Sequence, residues 1–507
     1  MDLTLLLDMA ADGVAERVVL GDRASGLTAS DLRRRAAGGA AVLRDLGASH
    51  LVYIAASGAA FPVSLFAASL AGIPFVPLNY RLSAGQLAAL VAENEPAFVV
   101  GDRDVLDAIG APEGRSTTPD GWLELAREHP GPATPMPNDP ESVALLLYTS
   151  GTTAAPKAAV LRHRHLASYV LTTIDFAGAA PDDCGLVAVP PYHIAGVANT
   201  LTNLYAGRRV VHLGRFSPED WLRTVEREGV TQALVVPTML ARIVEHLRET
   251  GERPPAGLRS LAYGGAPMPA RVIEQALELF PGVDFTNAYG LTETSSTIAV
   301  LGPDDHRAAQ AGTSPEARAR LGSAGRLVPD LEARILGADG LPLPAGEIGL
   351  LYVRGPQVSG EYRGTAAVGS DDWFATRDLA HLDDEGYLFL HGRADDTIIR
   401  GGENVAPAEI EAVLEQHPAV AESAVVGIPD EEWGQRIAAV VVPHRGARPE
   451  PEELRTWVRT RLRGSKTPDV VRLVAALPRT DTGKILRRTL VHELGAVDVT
   501  IPRETTP

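Results

Sequence analysis

Residues 145–160 read LLLYTSGTTAAPKAAV. Leu145 to Tyr148 are apolar or aromatic throughout, as in a buried strand. Thr149, Ser150, Gly151, Thr152, Thr153 and Pro156 then form a hydroxyl- and Gly-rich loop, which Lys157 closes. Such a loop offers backbone N–H groups, several hydroxyl donors and one cation around a single point. A polyphosphate presents only acceptor oxygens and carries concentrated negative charge, so it suits a loop of this kind. A polar surface turn after a strand is the plainer reading of the Ser/Thr/Gly run taken alone. The Walker pattern is absent, because the second Gly and the Lys-Ser/Thr pair are missing. The residues downstream must decide between the two.

A chain of 507 residues is too long for one compact core, so two or more domains are expected. Apolar content of 45% with 22% charged residues describes an ordinary globular protein. The net charge of −17 argues against nucleic acid or an anionic membrane as a general partner. ATP stays open, since a local cluster of donors binds an anion against an unfavourable overall field. Cys184 is the only cysteine, which rules out an intramolecular disulfide and fits a reducing, cytoplasmic setting. It reads as a small core or surface residue. Asp2 and Asp8 stand where a secretory signal would be cationic. Residues 51–80 carry no charge and are long enough to span a bilayer. Gly58, Pro62, Gly72, Pro74 and Pro77 break the run, so the expectation is no membrane span. Instead it should form a strand over 51–55, a buried helix over 63–71 and a strand over 74–77, a βαβ unit covered on both sides.

Elsewhere helical patterns alternate with short apolar runs. Ser30-Asp31-Leu32 reads as the capped start of an amphipathic helix, and a strand ends over 98–100. Residues 110–138 are Pro- and Gly-rich, with a helix over 122–127. Strands are expected over 186–189, 210–213 and 233–236, with a helix over 218–228. This alternation predicts α/β architecture with mainly parallel sheets. Beyond Gly322 the strands 331–336, 348–353 and 387–390 are separated by Gly, Pro and Asp turns, as in a small antiparallel sheet or barrel. A boundary falls near Ala394-Asp395-Asp396. After it come a strand over 397–399, a helix from Pro407 with Ile410, Val413 and Leu414 on one face, strands over 424–427, 437–442 and 470–475, and a helix over 451–463. These make a compact α+β unit.

Four further clusters have no evident packing purpose. The first is PPYHIAG at 190–196, where His193 follows a strand and a turn. A lone His is more often a hydrogen-bonded structural residue than a catalytic one. The second is YGGAP at 263–267, whose paired glycines permit close approach of a ligand to the backbone, or simply a turn. The third, NAYGLTET at 287–294, offers an aromatic face, a hydroxyl and a carboxylate on one loop. The fourth runs WFATRDL at 373–379, then GYL at 386–388, GR at 392–393 and GGEN at 401–404.

The order YTSGTT…PK, PPYHIAG, YGGAP, YGLTET, RDL…GYL…GR, GGENVAPAEIE and PRTDTGK resembles the adenylate-forming acyl-CoA synthetases, whose superfamily includes peptide-synthetase adenylation domains and luciferases. Any one element is weak; together, in order from about Val19 to Arg488, they are specific. The resemblance implies an N-terminal domain over 1–394, with two helix-flanked, mainly parallel sheets and a small distorted β-barrel. It also implies a small α+β lid domain over 395–507 that closes on it. The implied reaction has two steps. A carboxylate attacks the α-phosphate of ATP to give an acyl-adenylate and pyrophosphate, and the thiol of coenzyme A then takes the acyl group.

By the same resemblance, Thr149, Ser150, Gly151, Thr152, Thr153 and Lys157 would hold the β- and γ-phosphates, and Glu293 would help to bind Mg²⁺. Thr292 would donate to the α-phosphate. Tyr289 would lie against adenine, with Gly264, Gly265, Ala266, Asn287 and Ala288 completing the slot. Asp378 suits the two ribose hydroxyls, and Arg393 would support the same sugar. Lys484 matches the catalytic lysine that bridges carboxylate and α-phosphate as charge crowds there. Asp395 matches the hinge, and Gly401 and Gly402 would leave room for the pantetheine arm of CoA. His193, Ala195, Asn199, Thr238, Gly264 and Gly290 would line the acid pocket, His193 also counting with the catalytic set. Asn199 reads more readily as a structural amide than as a contact to a ring.

Some residues depart from the family pattern. Ala154 and Ala158 replace glycines in and beside the phosphate loop, Arg377 replaces the Gly before Asp378, and Glu361-Tyr362 stands where Gly-Tyr is usual. An Ala held at positive φ would cost roughly 1–2 kcal/mol. None of these changes removes a charge the chemistry requires. The acid is open between an aryl and a medium-length fatty acid. The acceptor is CoA, with a carrier-protein thiol, an amine, or a different anion such as nitrite as alternatives. Self-association as a homodimer is left open.

Overall fold

The uncharged run at 51–80 folds as a strand His50–Ile54, a helix Ala60–Ala71 and a strand Phe75–Pro77, with the strands parallel and Leu51 opposite Phe75. Every residue from Ala60 to Leu70 is buried. The two strands and the helix lack charge because protein covers them on both sides. Among the described residues no helix is long and apolar enough to cross a membrane. This computed structural model describes residues 1–129, 131, 139–149, 157–312, 314–365, 372–400, 403–430, 432–462, 464–480 and 483–495. The chain divides into two compact units, Met1–Ala333 with Val353–Phe374, and Arg334–Tyr352 with Ala375–Pro507.

The first unit contains two sheets. Among the described residues one has six strands, in the order Ser116–Thr117, Ala97–Gly101, His50–Ile54, Phe75–Pro77, Val143–Thr149 and Lys157–Arg162. All neighbours are parallel except the last pair. The other has nine strands. Its central run is Asp284–Leu291, Ser260–Gly264, Gln232–Val235, Cys184–Val187, Arg209–His212 and Val18–Leu20, parallel throughout, with antiparallel strands at both margins. Side chains alternate between faces along each strand. Leu51 and Tyr53 therefore join one core while Val52 and Ile54 join another. Val187 likewise turns to the core that Leu51 shares, and Leu186 to a third. The shared core holds the helices Leu3–Gly13, Ala29–Asp45, Ala60–Ala71 and Ile194–Tyr205, so a helical layer lies between the two sheets. Helices Pro218–Glu228, Pro237–Thr250 and Ala270–Leu279 cover the outer face of one sheet, and Ala84–Glu93 and Arg103–Ile109 that of the other.

Several element bounds shift, the helix expected over 451–463 being Pro451–Arg459 for example, and two of the shifts are instructive. The helix expected to be capped at Ser30 starts at Ala29. Thr28 caps it, accepting from Asp31 N while the Asp31 carboxylate takes Thr28 N in return. Both hydroxyls suit a cap, and the reciprocal Asp three residues on selects Thr28. The strand expected over 186–189 is Cys184–Val187, two residues earlier. Cys184 is buried in it, and burial pushes its thiol up to about 11, which makes it unreactive at neutral pH.

The helix His163–Thr173 opens with two buried imidazoles, His163 and His165, 1% and 2% exposed. Nδ1 of His163 accepts from Leu3 N, and Nδ1 of His165 from Arg162 N, so both rings are used in the neutral form. Burial lowers His163 to about 4 and His165 to about 3. Both lie below the unfolded value of about 6.5. Their contribution is therefore complete above that pH and is lost as pH falls towards the folded values. Stability should drop by up to about 1.4 kcal/mol per pH unit for each ring below pH 6.5. Urea midpoints measured from pH 7.5 to 5 should fall, and the slope should flatten in His163→Gln/His165→Gln. A wild-type midpoint that holds steady over that range contradicts the assignment.

In the second unit, a three-stranded sheet of Val420–Asp430, Gly434–Pro443 and Val470–Leu473 carries helices Pro407–Leu414 and Pro451–Arg459 on one face and Arg487–Gly495 on the other. Ile410 and Leu414 are buried and Val413 partly so, as their shared helical face requires. A four-stranded sheet runs Glu332–Leu336, Gly349–Arg354, Phe374–Leu382 and Leu388–Arg393. The expected boundary tripeptide is a single 3-10 turn, Ala394–Asp396.

Candidate active site

In an open α/β sheet, ligands bind beyond the carboxyl ends of parallel strands. His193 lies beyond the end of Cys184–Val187 and precedes the helix Ile194–Tyr205. Thr238 follows the end of Gln232–Val235, and Gly264 closes Ser260–Gly264. These three strands are neighbours, and Asp284–Leu291 lies next to the last, with Gly264 opposite Ala288. The topology thus gathers His193, Thr238, Gly264 to Ala266 and Asn287 to Gly290 on one edge of the first unit. Asn287 to Gly290 were expected on a loop. They lie in a strand instead, and only Thr292 to Thr294 form a turn. Gly264 and Gly290 are glycine for a backbone reason. An added Cβ would sit 2.2 Å from Ala288 O at the first and 1.8 Å from Ser296 O at the second. Asn287 Nδ2 donates to Ser323 O. The Tyr192 and His193 rings lie 4.5 Å apart, with Tyr80 5.4 Å from Tyr192. Asn199 Oδ1 accepts from Asn203 Nδ2, which supports the structural-amide reading.

Thr149 and Lys157 are cross-strand partners at the end of the antiparallel pair Val143–Thr149 and Lys157–Arg162 where residues 150–156 join the two strands. Ser150, Gly151, Thr152, Thr153 and Ala154 lie outside the described residues. Ala158 pairs with Tyr148 in ordinary strand geometry and is not among the positive-φ residues, so it carries no strain. The segment 357–363 returns to this edge strand. Val160 N donates to Glu361 O and Arg363 N to Ala158 O. The Glu361 carboxylate receives Arg162 through Nε at 3.1 Å and Nη2 at 2.8 Å. Between them Tyr362 donates its hydroxyl to Glu293 Oε1. The expected metal ligand and the strand that follows the phosphate loop are therefore tied together.

Within the second unit, Asp378 and Arg393 are cross-strand partners and pair at 3.1 Å, Asp378 being 7% exposed. Arg377 has φ 64°, which explains why Gly suits that position. Its guanidinium reaches Asp395 at 3.4 Å. Lys484 is exposed on a turn where its N–H donates to Thr480 Oγ1 and its carbonyl accepts from Thr480 N. Gly401 and Gly402, expected to face CoA, lie outside the described residues, as do Asp481 and Thr482.

The AMP-binding enzyme family profile matches residues 7–363, and the AMP-binding enzyme C-terminal domain profile matches 409–484. The chain belongs to this family, as an AMP-forming acid–CoA ligase. The feruloyl-CoA synthase of an Amycolatopsis species is 37% identical over 481 residues, which cover 92% of this chain and 94% of that protein. The Bacillus subtilis o-succinylbenzoate CoA synthetase, solved with its acyl-adenylate intermediate, superposes with a TM-score of 0.81 at 29% identity, covering 96% of this chain and 97% of that one. The same synthetase solved with ATP and a magnesium ion gives 0.80 at 28%, covering 96% and 98%.

The ligase's residues fit magnesium. Among the described residues no group of three or more His, Cys, Asp or Glu could hold a metal ion. Mg²⁺ in nucleotide sites commonly takes only one or two carboxylates besides the phosphates. Glu293, 8% exposed with one oxygen engaged by a neutral donor, has the burial and the charge that such a ligand needs. Sequence reasoning missed Arg162, Gln357 and the use of Tyr362, whose partners lie far along the chain. The Glu361 departure was the one visible signal, and it marks the carboxylate that fixes Arg162.

Proposed function

We propose that this cytoplasmic ligase activates an aromatic carboxylic acid with Mg²⁺·ATP and passes the acyl group to CoA. The observation that carries the aromatic reading is the ring cluster Tyr80–Tyr192–His193 beside the strand end where the acid would enter. The feruloyl and o-succinylbenzoate relatives, whose acids contain a benzene ring, support it. In this reading Thr149, Ser150, Gly151, Thr152, Thr153 and Lys157 hold the outer phosphates, and Thr292 donates to the α-phosphate. Tyr289, Asn287, Ala288 and Gly264 to Ala266 hold adenine, while Asp378 accepts from the ribose hydroxyls and Arg393 keeps its carboxylate in place. Glu293 would hold magnesium, which when bound would supply positive charge against the leaving pyrophosphate. Lys484 meets the negative charge that gathers as the carboxylate attacks. Asp395 serves as the hinge between lid positions, and Gly401-Gly402 lies along the pantetheine arm.

ATP–pyrophosphate exchange over cinnamates, benzoates and fatty acids, repeated as a product assay with and without CoA, tests this. Exchange led by ring-bearing acids and thioester only with CoA are expected. Exchange confined to aliphatic acids would overturn the aromatic assignment, and transfer to an amine or carrier thiol alone would overturn the acceptor.

A further inference from the structure

The segment 357–363 does more than cover an edge. Gln357, 2% exposed, donates through Nε2 to Thr294 O and Thr297 O, both at 2.9 Å, and its own carbonyl accepts from Ser295 Oγ. Ser359 N and Gly360 N both donate to Glu293 O. Ser295 and Ser296, directly after this turn, hold φ at 55° and 112°. Side chains seldom tolerate such a backbone, which persists only where the surroundings over-determine it. The Gln357 amide supplies that constraint. Directly before Tyr362, Glu361 is clamped by Arg162, and directly after it Arg363 Nη1 donates to Oδ1 of the fully buried Asn94. Tyr362 is thus fixed at both flanks, and its hydroxyl meets one oxygen of Glu293.

We infer that Tyr362 is a positioning residue for the metal. Its hydroxyl fixes the Glu293 carboxylate so that the second oxygen is presented to magnesium bound with the triphosphate, and the Arg162–Glu361 pair holds Tyr362 in register. A buried carboxylate with no donor would be free to turn and costly to keep charged. Groups that orient a metal ligand from behind commonly account for 10–100-fold in metal affinity. The inference rests on the reading of Glu293 as that ligand.

Calorimetric titration of the full-length chain with ATP, once with excess Mg²⁺ and once with EDTA, tests it. The ratio of the two affinities isolates the metal's share. Tyr362→Phe keeps the ring and should cut that ratio by about tenfold while leaving the EDTA affinity at wild-type level. Glu293→Gln should cut it at least as far, and the double variant no further. Glu361→Gln, which loosens the clamp without touching Tyr362, should cut it by a smaller factor. A Tyr362→Phe ratio equal to wild type while Glu293→Gln loses the gain overturns the positioning role and spares the ligand. Equal weakening with and without metal overturns it in favour of a packing role. A full gain in Glu293→Gln removes the ligand assignment itself.

Discussion

Lys484→Ala should slow acyl-adenylate formation by about two to three decades while leaving the reaction of a supplied acyl-adenylate with CoA near wild type. The turn that carries Lys484 is held by its backbone. Thr480 N donates to Lys484 O at 2.7 Å, Lys484 N to Thr480 Oγ1, and Gly483, with φ 81°, takes Arg479 on its carbonyl. The ammonium is exposed, so removing it leaves that network intact. In the proposed role, what is lost is one cation where carboxylate and phosphate oxygens would converge. Losing a single donor to developing charge commonly costs about two to three decades of rate. Pyrophosphate exchange should fall by that factor. Thiolysis of a chemically prepared acyl-adenylate, followed as thioester, should not. Equal loss in both assays would contradict the role given to the lysine.

Asp395→Pro should spare the first half-reaction and slow the second. Asp395 sits within the 3-10 turn Ala394–Asp396, where Thr397 N closes on Ala394 O. Proline locks φ near −65° and so limits how that turn can rearrange. If the thioester step needs a different setting of this turn, its rate should fall by about tenfold, equivalent to roughly 1.4 kcal/mol in the barrier. Asp395→Asn is the control. It removes the pair with Arg377, which is exposed and worth less than about 1 kcal/mol, and leaves the backbone free. It should behave like wild type. Rapid-quench measurement of each step separates the two variants, and an unchanged second step in Asp395→Pro would count against a moving turn.

Much of this architecture was legible because it is local. The helix Pro218–Glu228 announces itself with Ser217 as cap, Pro at its start and Gly229 past its end. Strand ends followed by Pro, Gly or His told where the site's edge would lie. The strap at 357–363 was not legible. Arg162 and Glu361 stand 199 positions apart, and no periodicity links them. The strain at Ser295 and Ser296 was equally hidden, because neither residue type signals a left-handed backbone. At Arg377 the family's usual glycine was the clue, but the sequence named only the missing residue and not the positive φ that favours glycine.

The late return of residues 353–374 to the first unit bears on how this unit could be made by itself. A polypeptide ending at Ala333 would contain every strand of the two large sheets. It would nevertheless bare the hydrogen-bonding rim of Lys157–Arg162, a ready template for edge-to-edge association between copies. Arg162 would lose its carboxylate and Glu293 its phenol. A fragment that keeps both contacts must therefore run past Arg363, and the ribosome has to deliver that much chain before they can form.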